Sequence, residues 1–265
     1  GVSGDSRHEG GLRFVFVKED GEQFLHLPRM KYCDYTKVSF DWSVDGWAQF
    51  GQGDALWYYQ QGVMLEGTMS VYNMGDGKTL LGKAWDNRIG CAVMADVMEN
   101  VHKEGSPNTV FGVATVQEEV GLRGAQTSAT MLQPDVAFVL DTCVAGGTPG
   151  VADDIAPAKI GKGIAITIFD ASMIPNTALR DFAFETAKEL GIPTQISISE
   201  GGGTDGGKIH MAGSGVLTLT FSVPTRYIHS HQSVIHMDDY LGAVKLITAM
   251  VQKLDAAKYQ ELLKA

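Results

Sequence analysis

Two adjacent carboxylates, in Gln117-Glu118-Glu119-Val120-Gly121 with Leu122-Arg123-Gly124-Ala125 behind them, follow an apolar, β-rich run at 109–116. A strand that ends in two acids and a glycine-bearing turn carries both side chains to the rim of a sheet. In open α/β sheets, ligands collect in the crevice at the carboxyl ends of strands. Neighbouring carboxylates repel, so a positive charge must offset them or one must hold a proton. A metal ion meets that demand, taking one carboxylate as ligand and leaving the other as a base toward water. The plainer alternative for this pair alone is an exposed acidic strand end.

Other polar residues fall at comparable places. Asp86 opens a helix directly after Gly82-Lys83-Ala84-Trp85, Asp141 ends a strand read over 135–140, and His229 follows a strand read over 215–221. Asp, Glu and His are ligands that zinc, cobalt or manganese accept. Two divalent cations would balance the charges of Asp86, Glu118, Glu119 and Asp141. Four clustered carboxylates without cations would instead have strongly raised pKa values. Each residue has an ordinary alternative: Asp86 a helix N-cap, Asp141 a turn cap, His229 a core or loop histidine. His231 and His236 lie close enough to His229 to compete for its place.

Elements that could position these residues read differently in the two parts of the chain. Residues 10–74 carry short aromatic runs at 12–17, 37–42 and 55–59, separated by Gly and Asp, which predict a small β-rich module. From residue 75 strands and helices alternate. A helix over 86–101 shows Ile89, Val93, Met94, Val97, Met98 and Val101 on one face. Further helices are expected near 123–132, 175–190, 205–212 and 237–254. Further strands are expected at 109–116, 163–169 and 194–198. Gly191-Ile192-Pro193 is a helix stop. This alternation predicts a layered α/β sheet. The glycine loop Gly201-Gly202-Gly203-Thr204-Asp205-Gly206-Gly207 lacks the Gly-Lys-Ser/Thr of a phosphate loop. It is read as backbone brought close to a cleft, with Asp205 as a cap.

Bulk properties narrow the partners. The 265 residues carry a formal net charge of -10, which argues against a nucleic-acid partner. No run of about 18 apolar residues predicts a membrane span, and no secretory signal opens the chain. Cys33, Cys91 and Cys143 form no Cys-x-x-Cys pair, which fits a reducing, cytoplasmic setting.

Taken together, Gly82-Lys83-Ala84-Trp85-Asp86-Asn87-Arg88-Ile89-Gly90, the 118–125 run, Asp141-Thr142, Gly201-Gly202-Gly203-Thr204-Asp205 and Tyr227-Ile228-His229-Ser230 resemble the M42 family of metallo-aminopeptidases. That family includes the glutamyl and deblocking aminopeptidases and proteins labelled endoglucanase or cellulase M. The resemblance runs over roughly 75–254. It implies an α/β catalytic domain of zinc-peptidase type with an inserted β-rich dimerisation domain. Residues 1–9 would then begin the catalytic domain, 10–74 the insertion, and 75–265 the rest. It also implies two divalent metal ions, zinc or cobalt. Asp86 would bridge them, Glu119 and Asp141 would hold one each, His229 would join the ion of Glu119, and Glu118 would be the general base. The expected activity is removal of N-terminal residues from peptides by a homo-oligomer, built of dimers and possibly a dodecamer.

The family's early His-x-Asp-Glu-type motif is not found. Only His8 and His26 precede Asp86, and both are read as loop histidines. Two other readings follow: a metal-deficient scaffold or peptide-binding protein, and a glycoside hydrolase working through paired carboxylates.

Overall fold

The computed structural model describes residues 15–17, 23–26, 71–148, 152 and 154–264. Contacts divide the chain into Gly1–Ser70 and Val71–Ala265. In the first unit, β1 (Val15–Val17) and β2 (Gln23–His26) pair antiparallel, with Val15 opposite His26 and a bulge between Phe16 and Val17. His26 therefore closes a strand and does not sit in a loop as expected. His8 and the runs at 37–42 and 55–59 lie outside the described residues.

The second unit is α/β. A three-stranded sheet has the order β3-β4-β9, from β3 (Tyr72–Asn73), β4 (Thr79–Gly82) and β9 (Ser233–His236). A four-stranded mixed sheet has the order β5-β8-β6-β7, from β5 (Val136–Val144), β6 (Ile164–Asp170), β7 (Thr194–Ser199) and β8 (Leu217–Thr225). β5 and β8 run parallel, and so do β6 and β7, but β6 meets β8 antiparallel. Six helices complete the unit: α1 (Trp85–Glu104), α2 (Arg123–Leu132), α3 (Thr177–Leu190), α4 (Gly206–Ile209), α5 (Met237–Lys253) and α6 (Ala256–Leu262). Among the described residues no helix is long and apolar enough to cross a membrane.

The centre of this unit is β8, whose residues are buried on both faces. Leu219, Phe221 and Val223 alternate with Thr218, Thr220 and Ser222, all at most 2% exposed. Phe221 and Val223 meet Gly90 and Val93 of α1 and Ala243 and Ile247 of α5 in one apolar seam. Phe138 of β5 adds an edge-on ring contact with Phe221, centroids 5.7 Å apart. The hydroxyl face serves the opposite layer, where Thr220 hydrogen-bonds Thr204 at 3.1 Å just before α4. Burying small hydroxyls costs little when each finds a partner.

The expected strand at 109–116 is not one: no described strand pairs with it. It lies instead on α1, so close that a Cβ on Gly112 would come within 2.6 Å of the Met94 sulfur. Asn108 anchors its start by donating to the carbonyls of Val251 and Leu254. The apolar alternation thus marks packing on a helix without a ladder, and Phe111 remains 59% exposed.

The approach to β6 is held from α5. Asp239 is fully buried and accepts the backbone N–H groups of Gly161 at 2.6 Å and Gly163 at 2.7 Å. Gly163 has φ +103°, and a Cβ there would stand 2.0 Å from the carbonyl oxygen of Pro193. Gly163→Ala is therefore expected to destabilise the fold by roughly 3 kcal/mol or more, from overpacking plus backbone strain. Chemical denaturation measures this, and an unchanged midpoint would contradict the close approach.

Candidate metal centre

One ladder brings two distant segments together. β4 pairs antiparallel with β9, setting Gly82 opposite Ser233. Asp86 comes shortly after Gly82, and His229 shortly before Ser233, so both fall at the same end of the pair. The chain leaves β4 through Ala84 in the left-handed region (φ 53°), and Asp86 and Asn87 keep non-helical backbone angles before α1 settles. Asp86 is thus no N-cap. That position belongs to Ala84, and the Asp86 side chain turns to His229. Asn87 ties the start of the helix to the sheet: its amide donates to the Leu140 carbonyl at 2.7 Å and its oxygen accepts from Gly90 N–H at 3.0 Å. Residue 90 must be glycine here, since a Cβ would lie 2.5 Å from the Leu140 carbonyl oxygen.

His229 stands in the loop that joins β8 to β9, closed by a bridge between Arg226 and Val234. Both Tyr227 and His229 adopt left-handed backbone angles, φ 60° and 59°. Ser230 reinforces the loop through contacts with the carbonyls of Tyr227 and Gln232. Glu118 and Glu119 sit in a tight turn ahead of α2. Gly121 and Leu122 donate to the Glu118 carbonyl, and Gly124 donates to that of Val116. Asp141 lies within β5, which runs on to Val144, so it does not terminate its strand as expected. Its Oδ1 accepts the N–H of Thr142 at 2.7 Å.

These pieces converge. The Nε2 of His229 is 3.1 Å from Asp86 Oδ2 and 3.4 Å from Glu119 Oε2. One ligand atom from each residue falls within 4.8 Å of the others, and among the described residues this is the one group so gathered. Asp141 and Glu118 are outside it but within its field. Burial raises the Asp141 carboxyl well above its ordinary value, and the charges of Asp86 and Glu118 add to this. Burial likewise lifts Glu118 to about 8, helped by Glu119, Asp205 and Asp86. Glu119 is raised by burial and by Asp86. The His229 imidazole moves the other way in charge: its hydrogen bond to Asp86 holds it protonated up to about 9. Carboxylates that push one another's pKa upward, with an imidazole beside them, form a donor set suited to a divalent cation.

The competing histidines take no part in the group. His236 caps α5, its Nδ1 accepting from Asp238 N–H at 3.2 Å, and His231 is exposed outside it. The sequence reading missed the roles of Asn87 and Gly90. Their adjacency to Asp86 and the small side chain at residue 90 were the available signals. The reading of Asp205 as a cap is also corrected. It stands at the N-cap of α4 without a side-chain cap bond, and its Oδ2 accepts from Thr115 instead.

Asp86, Glu119 and His229 form a candidate metal-binding group on an α/β unit. Residues 60–246 match the M42 glutamyl aminopeptidase family, and the chain belongs to that family. It is 38% identical over 187 residues to the glutamyl aminopeptidase of Lactococcus lactis subsp. cremoris, covering 71% of this chain and 51% of that protein. In structure it is similar to the TET aminopeptidase of a Thaumarchaeota archaeon from marine sediment. The TM-score is 0.71 at 41% identity, over 72% of this chain and 54% of that one. It is also similar to the Pyrococcus horikoshii TET1 peptidase, which can assemble into a tetrahedron or a large octahedral shell. There the TM-score is 0.61 at 32% identity, over 70% of this chain and 54% of that one. The chain spans about half the length of the curated relatives it matches.

Electrostatics at the centre make stability depend on pH. Glu118 and His229 both have folded values above their ordinary ones, about 8 against 4.5 and about 9 against 6.5. The folded chain therefore binds protons more tightly than the unfolded chain, and stability falls as pH rises. The Glu118 contribution is complete below 4.5 and lost by about 8. That of His229 is complete below 6.5 and lost by about 9. With cations chelated, the melting temperature is expected to fall from about pH 5 to about pH 9. Added zinc or cobalt should flatten that slope by binding the folded form. A level profile in chelator would contradict the arrangement.

Proposed function

We propose that this chain carries the catalytic residues of a metal-dependent aminopeptidase that cleaves the first peptide bond of short peptides. The observation that carries this reading is the convergence of Asp86, Glu119 and His229 within 4.8 Å, beside a Glu118 carboxyl lifted to about 8. In this reading Glu119 and His229 would hold one divalent ion, Asp141 would hold a second, and Asp86 would contribute to both. Zinc and cobalt both suit carboxylate and imidazole donors. Divalent cations held there supply positive charge that acidifies water and polarises a peptide carbonyl.

Proton movement belongs to Glu118. Cations held beside it would bring its upward-held carboxyl back down, leaving a carboxylate able to take a proton from an attacking water and return it to the departing amine. Glu118 is partly buried beside the Asp86–Glu119–His229 group. The amine end of the substrate is positive and the centre's rim is rich in carboxylates, so the free N-terminus is the part of a peptide that the site attracts. A homo-oligomeric state, built of dimers and extending to a dodecamer, accompanies this reading. Its support is the assemblies named for related TET1 structures, a dodecamer in one and a tetrahedron or large octahedral shell in another.

The test is reconstitution with zinc or cobalt followed by assay on a panel of amino-acid anilides and short peptides. Glu118→Gln is expected to lower kcat by about 10²- to 10⁴-fold while bound metal is retained. Asp86→Ala is expected to lose metal as well as activity. A protein that binds ions fully yet releases no N-terminal residue from any of these substrates would refute the proposal.

A further inference from the structure

Asp205 is 8% exposed, and only half of its carboxylate is spoken for. Its Oδ2 accepts the hydroxyl of Thr115 at 2.5 Å, a length typical of a hydroxyl donating to a carboxylate. Its Oδ1 is buried and finds no hydrogen-bond partner among the described residues. Placing a carboxylate in so dry a position is unfavourable, and burial pushes its pKa upward. A structural cap would not require this, and the side chain caps nothing.

The two ends of the Thr115–Asp205 bond are held in different ways. On the Asp205 side, the loop 201–207 is clamped. Thr204 donates to Asp170 at 3.1 Å and contacts Thr220 of β8. Ser172 also bonds Asp170, and a Cβ on Gly207 would stand 2.2 Å from the Ser172 hydroxyl. On the Thr115 side, the run 109–116 belongs to no sheet. Nothing in a strand ladder therefore fixes the turn that follows it, the turn that presents Glu118 and Glu119. The Asp205 charge is also one of those felt by Glu118, so the two carboxyls are neighbours.

We infer that Asp205 is a positioning residue for the acidic turn: through Thr115 it pins the end of the 109–116 run to the clamped glycine loop and so sets where Glu118 stands. It touches no reacting atom and is not a member of the Asp86–Glu119–His229 group. The catalytic half of this inference rests on the aminopeptidase reading; the mechanical half does not.

The mechanical half is read by hydrogen exchange. Thr115→Val and Asp205→Ala are each expected to speed exchange of the Gly121, Leu122 and Gly124 amides by about tenfold. The double variant should do no more than either alone. Asp205→Asn retains an acceptor for Thr115 and should restore near-normal exchange. Melting temperature tracks any global loss of stability, which would instead raise exchange across β5 and β8 alike. In the metal-reconstituted protein, Thr115→Val and Asp205→Ala should lower kcat by about 10- to 100-fold with little change in KM. Asp205→Asn should stay close to the unsubstituted protein. Unchanged exchange at the three amides in both single variants would overturn the inference, as would an Asp205→Asn variant as loose as Asp205→Ala. If exchange responds as expected but the unsubstituted protein cleaves no peptide, the strut stands and only the aminopeptidase reading falls.

Discussion

Carboxylates buried close together govern this molecule. Asp86, Glu118, Glu119, Asp141 and Asp205 are drawn from separate segments to one region, and Glu118, Glu119, Asp141 and Asp205 are all raised, by burial first. A fold that merely needed stability would disperse them. The chain instead supplies an imidazole against two of the acids, at 3.1 and 3.4 Å. It leaves a donor set whose electrostatic problem a divalent cation would relieve. Perturbed titration at converging side chains is a mark of functional sites. Here it agrees with membership of the M42 family.

Holding repelling groups together requires stiffness, and β8 provides it. Its apolar face closes a seam with α1 and α5, while its hydroxyl face bonds the glycine loop. Asp141 is part of this frame, opposite Ser222 in the β5–β8 ladder, whereas the other acids are tied to it by particular contacts. Asn87 joins Asp86's segment to β5, the β4–β9 ladder aligns Asp86 with His229, and Thr115 joins the acidic turn to Asp205. These ties are hydrogen bonds or a short ladder, added for Asp86 to the core packing of α1. The site is therefore easier to disturb than the fold.

What could be read from sequence follows from the same division. α1, α2, α3 and α5 declare themselves through apolar spacing and a glycine stop, and β5 to β8 through β-branched runs, because the core enforces those patterns. Asp86, Glu119 and His229 were legible because strand and helix boundaries put them on one edge, and the structure gathers these three. Short ladders escaped: Thr79–Gly82 and Ser233–His236 are too brief to show a period. The 109–116 run misled because contact with Met94 and Met98 of a helix selects the same small and apolar residues as a ladder would. Asn87 and Asp205 act through single side-chain bonds to residues far along the chain, and no local pattern records such a partner.

The loop that bears His229 differs from the other supports of the centre. Its imidazole is aimed by two left-handed backbone residues and is 65% exposed, whereas Asp86 is 10% exposed and locked at a helix start. Ions or water reaching Asp86 would therefore pass most readily on the imidazole side, where the group lies most open to solvent.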